Sequence, residues 1–213
     1  MMKKKAVTLF TAAALLITMS SPALAESEVA NAVYGVPCAE GASLGDKGCL
    51  PLDVEEGTEQ TKTIVDVIAS GIMTTDEQAN FRPNDDVRAG EAVTVLLRVL
   101  GMPPEDAKGD VSESAIKTGS ELGLVQENIN IDQPMSRLEF VIVLAKALNI
   151  EPARDPLPFR DTDNLPLEVR QILAGLYKAG LIQGTSDVTF EPDRVLTRYE
   201  LAILVERVLK NFK

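Results

Sequence analysis

One motif occurs three times in this chain of 213 residues, and that recurrence limits the fold more than any single residue does. The clearest copy reads Leu196-Thr197-Arg198-Tyr199-Glu200 and runs into the apolar stretch Leu201 to Leu209. A second reads Met135-Ser136-Arg137-Leu138-Glu139, followed by Phe140 to Leu148; a worn third reads Val87-Arg88-Ala89-Gly90-Glu91, followed by Ala92 to Leu100. A unit of this size cannot bury its apolar face alone and must stack on its neighbours. The search for a functional site therefore moves from one enclosed cleft to the grooves between units.

Each unit reads as two helices joined by a loop. In the third, Val169, Ile172, Leu173, Leu176 and Tyr177 recur at helical spacing and predict a helix over 167–179, which Gly180 stops. After the loop, Thr197 is an N-cap and Glu200 completes a capping box. Leu201, Leu204, Val205 and Val208 form the apolar stripe of the second helix. The second unit repeats the plan, with a helix over 113–122 ended by Gly123, a Ser136 cap and Glu139 in its box. In the first unit Ile64, Val65, Val67 and Ile68 supply the first apolar face, and Arg88 at the cap position offers no side-chain oxygen. Glu91 to Glu139 is 48 residues and Glu139 to Glu200 is 61, so the second linker is the longer. The expected organisation is all-α: units at 58–101, 107–150 and 159–212 within a domain over 58–212, preceded by a short irregular lead-in over 26–57.

Residues 1–25 read as a secretory signal. Three lysines precede an apolar stretch, and Ala23-Leu24-Ala25 suits cleavage after Ala25. The stretch is too short for a lasting span, so no transmembrane segment is expected after processing. The formal charge is −11, and losing residues 1–25 removes lysines and no acid. Such an acidic surface argues against nucleic acid as a partner. Cys38 and Cys49 are the two cysteines, and export makes a disulfide closing their Gly-rich loop the expectation over redox chemistry. With no histidine and no second cysteine pair, no metal site or cofactor is expected.

The third unit resembles the S-layer homology domain of bacterial surface proteins. The resemblance rests on Phe159-Arg160-Asp161, on Lys178-Ala179-Gly180-Leu181-Ile182-Gln183-Gly184, on Thr189-Phe190-Glu191-Pro192-Asp193, and on Leu196 to Glu200. The other two units follow the same pattern less closely, and together the three cover about 58–212. The resemblance implies three units around a pseudo-threefold axis, in a module that anchors exported proteins non-covalently to the bacterial cell wall or cell surface. It implies a secondary cell-wall polysaccharide, often pyruvylated, as ligand in the grooves between units. The arginine of the family motif, a binding residue there, carries over onto Arg198 and Arg137. In the first unit that position is Ala89. The chain also lacks tryptophan, has Tyr199 and Leu138 where the family has alanine, and carries Ile129-Asn130-Ile131-Asp132 in place of the second unit's Phe-x-Pro loop. One or two working sites are expected rather than three, with the surface centred on Arg198 and Arg137.

A pyruvyl or phosphate group is a compact anion that suits the planar paired donors of arginine. Arg198 and Arg137 each follow a helix cap, where free N–H groups of the first turn are expected to add to the attraction. Thr197, Gly184 and Tyr177 join them as candidate ligand-binding residues: a cap hydroxyl, a close backbone approach and a ring able to stack on a sugar. Glu200, Glu139 and Ser136 are assigned to capping. An enzyme is not expected. Histidine-dependent schemes are absent, no nucleophile elbow or phosphate loop occurs, and the acids of Asp161-Thr162-Asp163, Asp85-Asp86 and Asp53 sit in turn and cap contexts. The alternative reading is a structural or protein-interaction subunit of a cell-envelope complex, built on the same scaffold with eroded glycan sites and an envelope protein as partner.

Overall fold

The computed structural model describes residues 50–55, 57–76, 78–104 and 111–211. The expected signal over 1–25 and the Cys38–Cys49 disulfide lie outside them. Six α-helices are found among the described residues: α1 (Glu59–Ala69), α2 (Ala89–Val99), α3 (Val111–Glu121), α4 (Arg137–Ala147), α5 (Leu167–Lys178) and α6 (Arg198–Asn211). A 3-10 turn, Arg160–Thr162, precedes α5. The fold is all-α, as the spacing predicts.

Local chemistry sets the helix ends. Gly71, Gly123 and Gly180, following α1, α3 and α5, all have φ near +70°, where a Cβ is disfavoured. Thr58 caps α1 by accepting from the Thr61 amide at 3.1 Å. Ser136 and Glu139 form the full capping box of α4. On α6 the Thr197 amide donates to Glu200 at 3.0 Å, and the Glu200 amide to the Thr197 hydroxyl at 3.3 Å. Arg88 gives α2 no side-chain cap; its Nη1 instead donates across to the Asp132 carbonyl at 2.6 Å.

The main helix contacts run between the sequence repeats. α2 packs on α3, α4 on α5, and α6 returns to pack on α1. The first and last helices thus close a ring of three helix pairs. At its centre the backbone closes a second ring. Val87 N–H donates to the Leu196 carbonyl at 2.8 Å, Leu196 to Met135 at 2.9 Å, and Met135 to Val87 at 2.9 Å. The side chains of these residues are buried, so this hub is both apolar and fully hydrogen-bonded. It forms the pseudo-threefold axis, and the one residue before each cap supplies it.

Asp161 receives the Phe190 and Glu191 amides at 2.9 and 2.7 Å, clamping the loop of the third unit. Asp53 does the same for Phe81 and Arg82, at 2.8 and 2.6 Å. Arg82 and Glu191 hold positive φ, and each has its amide fixed by the carboxylate. The first unit's clamp therefore starts within the segment read as lead-in, upstream of residue 58. Phe81 and Phe190 lie fully buried beneath these loops, whereas Ile129, at the equivalent position of the second unit, is half-buried.

Candidate functional site: the grooves between units

The arginine one residue after each cap crosses into the next unit. Arg137 leaves the start of α4 and enters the loop of the third unit. Its Nε donates to the Phe190 carbonyl at 2.9 Å, Nη1 meets Glu200 at 3.3 Å, and Nη2 reaches the Gln183 carbonyl at 3.4 Å. Its guanidinium carbon lies 4.9 Å from the centroid of the Phe190 ring. Arg198 repeats this arrangement from α6 into the first unit. Its Nε donates to the Phe81 carbonyl at 2.7 Å, Nη2 to Thr74 at 2.9 Å, and Nη1 pairs with Glu91, with the Phe81 ring 4.8 Å away. Burial pulls both guanidinium pKa values below the usual arginine range. Ala89, at the corresponding place on α2, is fully buried and brings no charge.

The helix amides expected to be free are engaged. The Arg137 and Leu138 amides donate to the Arg194 and Pro192 carbonyls at 2.9 and 3.0 Å. Those of Arg198 and Tyr199 donate to Asp85 and Pro83 at 3.0 and 2.9 Å, and those of Ala89 and Gly90 to Gln133 and Ile131 at 2.9 and 3.0 Å. The third amide of α4 and of α6 goes to the cap hydroxyl. The reason is the fold itself: the loop entering each second helix lies across the start of the preceding unit's second helix, and its carbonyls take the donors that solvent or ligand would otherwise meet. None of these amides is left to hold an anion in the grooves.

The grooves differ in charge. Between the second and third units a cavity of about 110 Å³ is lined by Arg137, Gln183, Gly184, Glu200, Ile203 and Arg207, among others. Arg207 Nη2 donates to the Gln183 side chain at 2.7 Å. Glu200 is held by Arg137 and Arg194; Arg194 Nη1 donates to it at 3.0 Å. Burial opposes ionisation of Glu200, but Arg194, the Thr197 amide and Arg137 outweigh it and keep the carboxyl below its ordinary pKa. Those contacts in turn raise the pKa of Arg194.

Where the first unit meets Arg198 of the third and the Asp132 loop of the second, a cavity of about 320 Å³ holds Arg198, Arg82 and Arg88 against five acids: Asp76, Asp85, Asp86, Glu91 and Asp132. Hydrogen bonds from the Asn80 and Gln78 amides, with Arg82, hold Asp76 below the usual carboxylate range despite desolvation. A further cavity of about 480 Å³ is lined by the second unit alone, through Val125, Ile129, Met135, Ile142 and Val143 with Gln126 and Glu139, and no arginine lines it.

Of the candidates read from the sequence, Arg137 and Gly184 line the groove between the second and third units, with Glu200. Thr197 is engaged with Glu200 in the cap. Tyr177 does not line that groove; it is 41% exposed and packs edge-on against Phe159, centroids 5.4 Å apart. A Cβ on Gly184 would lie 2.3 Å from the Ser186 and Thr189 carbonyls, so the tight loop itself demands glycine there. Arg207, Arg194 and the Phe81 and Phe190 rings were not read as site residues. Arg207 stands seven residues after Glu200 on α6, on the same helical face, which is the signal that marks it.

Residues 158–202 match the S-layer homology domain family. That segment holds the turn at Phe159, α5, the Gln183–Phe190 loop and the start of α6. The chain is 22% identical over 200 residues to a surface-layer 125 kDa protein of Lysinibacillus sphaericus, with 86% of this chain and 16% of that protein aligned. It is 23% identical over 169 residues to an amylopullulanase of Thermoanaerobacterium thermosulfurigenes, with 70% of this chain and 9% of the other aligned. The chain thus spans a small fraction of either relative. No described helix is long and apolar enough to cross a membrane.

Proposed function

We propose that this chain, whose 158–202 segment is an S-layer homology unit, anchors its bearer to the bacterial cell wall through an anionic secondary polysaccharide bound mainly between the second and third units. The observation that carries this reading is a coincidence of place. The segment matching the family supplies Gln183, Gly184, Phe190 and Glu200, one wall of the groove that receives Arg137. Two relatives with different names share only a small part of their length with this chain, which supports an attachment module carried by different bodies.

Charge ranks the grooves. Arg137 and Arg207 face the single carboxylate Glu200, itself neutralised by Arg194, so a carboxylate or phosphate on a sugar meets net positive charge. Around Arg198 the acids outnumber the arginines and repel the same ligand. All three units act as S-layer homology units in this reading, and the first mainly completes the ring. Arg137 keeps two of its five N–H donors beyond the contacts described above, and these point the chemistry toward paired anion recognition. Enzymatic chemistry has no part in it.

Sedimentation with purified wall sacculi tests the reading. The protein pellets with native wall and stays in solution with wall stripped of its secondary polymer. Equal pelleting with both preparations contradicts a polysaccharide ligand. Failure to pellet with either, with a protein partner recovered from envelope extracts, favours the structural-subunit alternative.

A further inference from the structure

The longer linker between the second and third units builds a feature that the repeat does not require. It crosses α5 at Gly175, where a Cβ would lie 2.3 Å from the Glu151 carbonyl, and the Ala153 amide donates to the Gln171 carbonyl at 2.9 Å. It then turns away through Arg154 to Pro158. Between this strap and the first turn of α5 lies a cavity of about 530 Å³, lined by Arg154, Asp155, Leu157, Asp163, Leu167 and Arg170, among others.

The Nε of Arg170 is buried and has no hydrogen-bond partner. A buried donor left unpaired costs about 1–3 kcal/mol, and a turn of this side chain toward an acceptor in the cavity would recover it. Among the described residues no hydrogen bond or ion pair engages the side chain of Arg154, which also lines the cavity and is exposed. Of the two acids there, Asp155 is paired with Lys178 at 3.2 Å, leaving Asp163 as the opposing charge. The cap position of α5 is Pro166, which makes no side-chain cap bond. Leu167, 56% exposed, and half-buried Leu157 add an apolar wall. We propose that this cavity is a second binding site, separate from the inter-unit grooves, for a carboxylate or phosphate group carried on a small apolar or sugar body, held by Arg154 and Arg170. Arg170 turns its guanidinium onto the anion from α5, Arg154 closes over it from the strap, and the leucines cover the ligand's uncharged part.

The test is amide-resolved NMR titration of the full chain with inorganic phosphate and, separately, acetate, at constant ionic strength. Saturable shifts are expected at Leu167, Glu168, Arg170 and Gln171 with at least one anion. Arg154→Gln weakens that response several-fold, Arg154→Gln/Arg170→Gln weakens it at least tenfold, and Arg137→Gln leaves it unchanged. Arg154 makes no contact the fold depends on, so the single variant stays folded and decides the matter if the double variant does not. No saturable shift with either anion, a response untouched by Arg154→Gln, or shifts confined to Gln183 and Arg207 would each overturn the proposal. The two readings fail separately, because this titration reads shifts at Leu167 to Gln171 whereas the sedimentation reads attachment to wall polymer.

Discussion

Arg137 grips Phe190 twice: its guanidinium stacks 4.9 Å from the ring centroid, and its Nε donates to the carbonyl of the same residue at 2.9 Å. Arg198 holds Phe81 in the same way. Each arginine therefore joins two units before any ligand arrives. Arg137→Ala leaves the Phe190 carbonyl and Glu200 short of a donor, and Arg198→Ala does the same to Phe81 and Glu91. Each is expected to lower stability by about 2 kcal/mol in urea unfolding, with lysine recovering only part of the loss. A change below about 0.5 kcal/mol would remove the structural role.

Glu200 gives the fold a pH dependence with a defined sign. Its folded pKa lies below the ordinary value of 4.5, so its contribution to stability is complete above that value. The contribution is lost as pH falls through the lower folded pKa. Thermal unfolding from pH 7 to pH 2 checks this: Glu200→Gln starts less stable at neutral pH, and its difference from the parent narrows in acid. A difference that widens as pH falls would reverse the assignment.

The loop clamps make a comparison between units. Asp161→Asn and Asp53→Asn each weaken charged acceptors serving two amides, beside a residue held at positive φ. Each is expected to cost about 1.5–3 kcal/mol, and the Asp53 change should be as severe as the Asp161 change. A harmless Asp53→Asn would show that the clamp of the first unit is dispensable.

What the sequence made legible is what neighbours in the chain decide. The helix periods, the glycines at Gly71, Gly123 and Gly180, and the Ser136–Glu139 and Thr197–Glu200 boxes act within a few residues, and all are found. The contacts across units were hidden. Nothing near Val87 reveals that its amide meets Leu196, since backbone groups carry no residue identity. Asp53 looked like part of a lead-in because its partners, Phe81 and Arg82, lie 28 and 29 residues on. The free helix amides failed as an expectation for the same reason: their acceptors come from another unit. Arg198 and Arg137 were equally legible as arginines, but the acids that separate their grooves gather only in three dimensions.

Ring closure by α1 and α6 predicts cooperative opening. The Val87, Met135 and Leu196 amides should exchange hydrogen with similar, near-global protection, because breaking one hub bond separates two units. Distinctly faster exchange at one of the three would mean that a unit opens by itself.

The central claim is that wall polymer meets Arg137 and Arg207 rather than the acid-lined groove of Arg198. The direct measurement is the affinity of the full chain and of Arg137→Gln, Arg207→Gln and Arg198→Gln for purified native sacculi, each variant first shown to be folded at the assay temperature. The account predicts about a tenfold or greater loss for Arg137→Gln and Arg207→Gln and less than about a threefold loss for Arg198→Gln. Wild-type affinity in the first two variants with binding abolished in the third would contradict it.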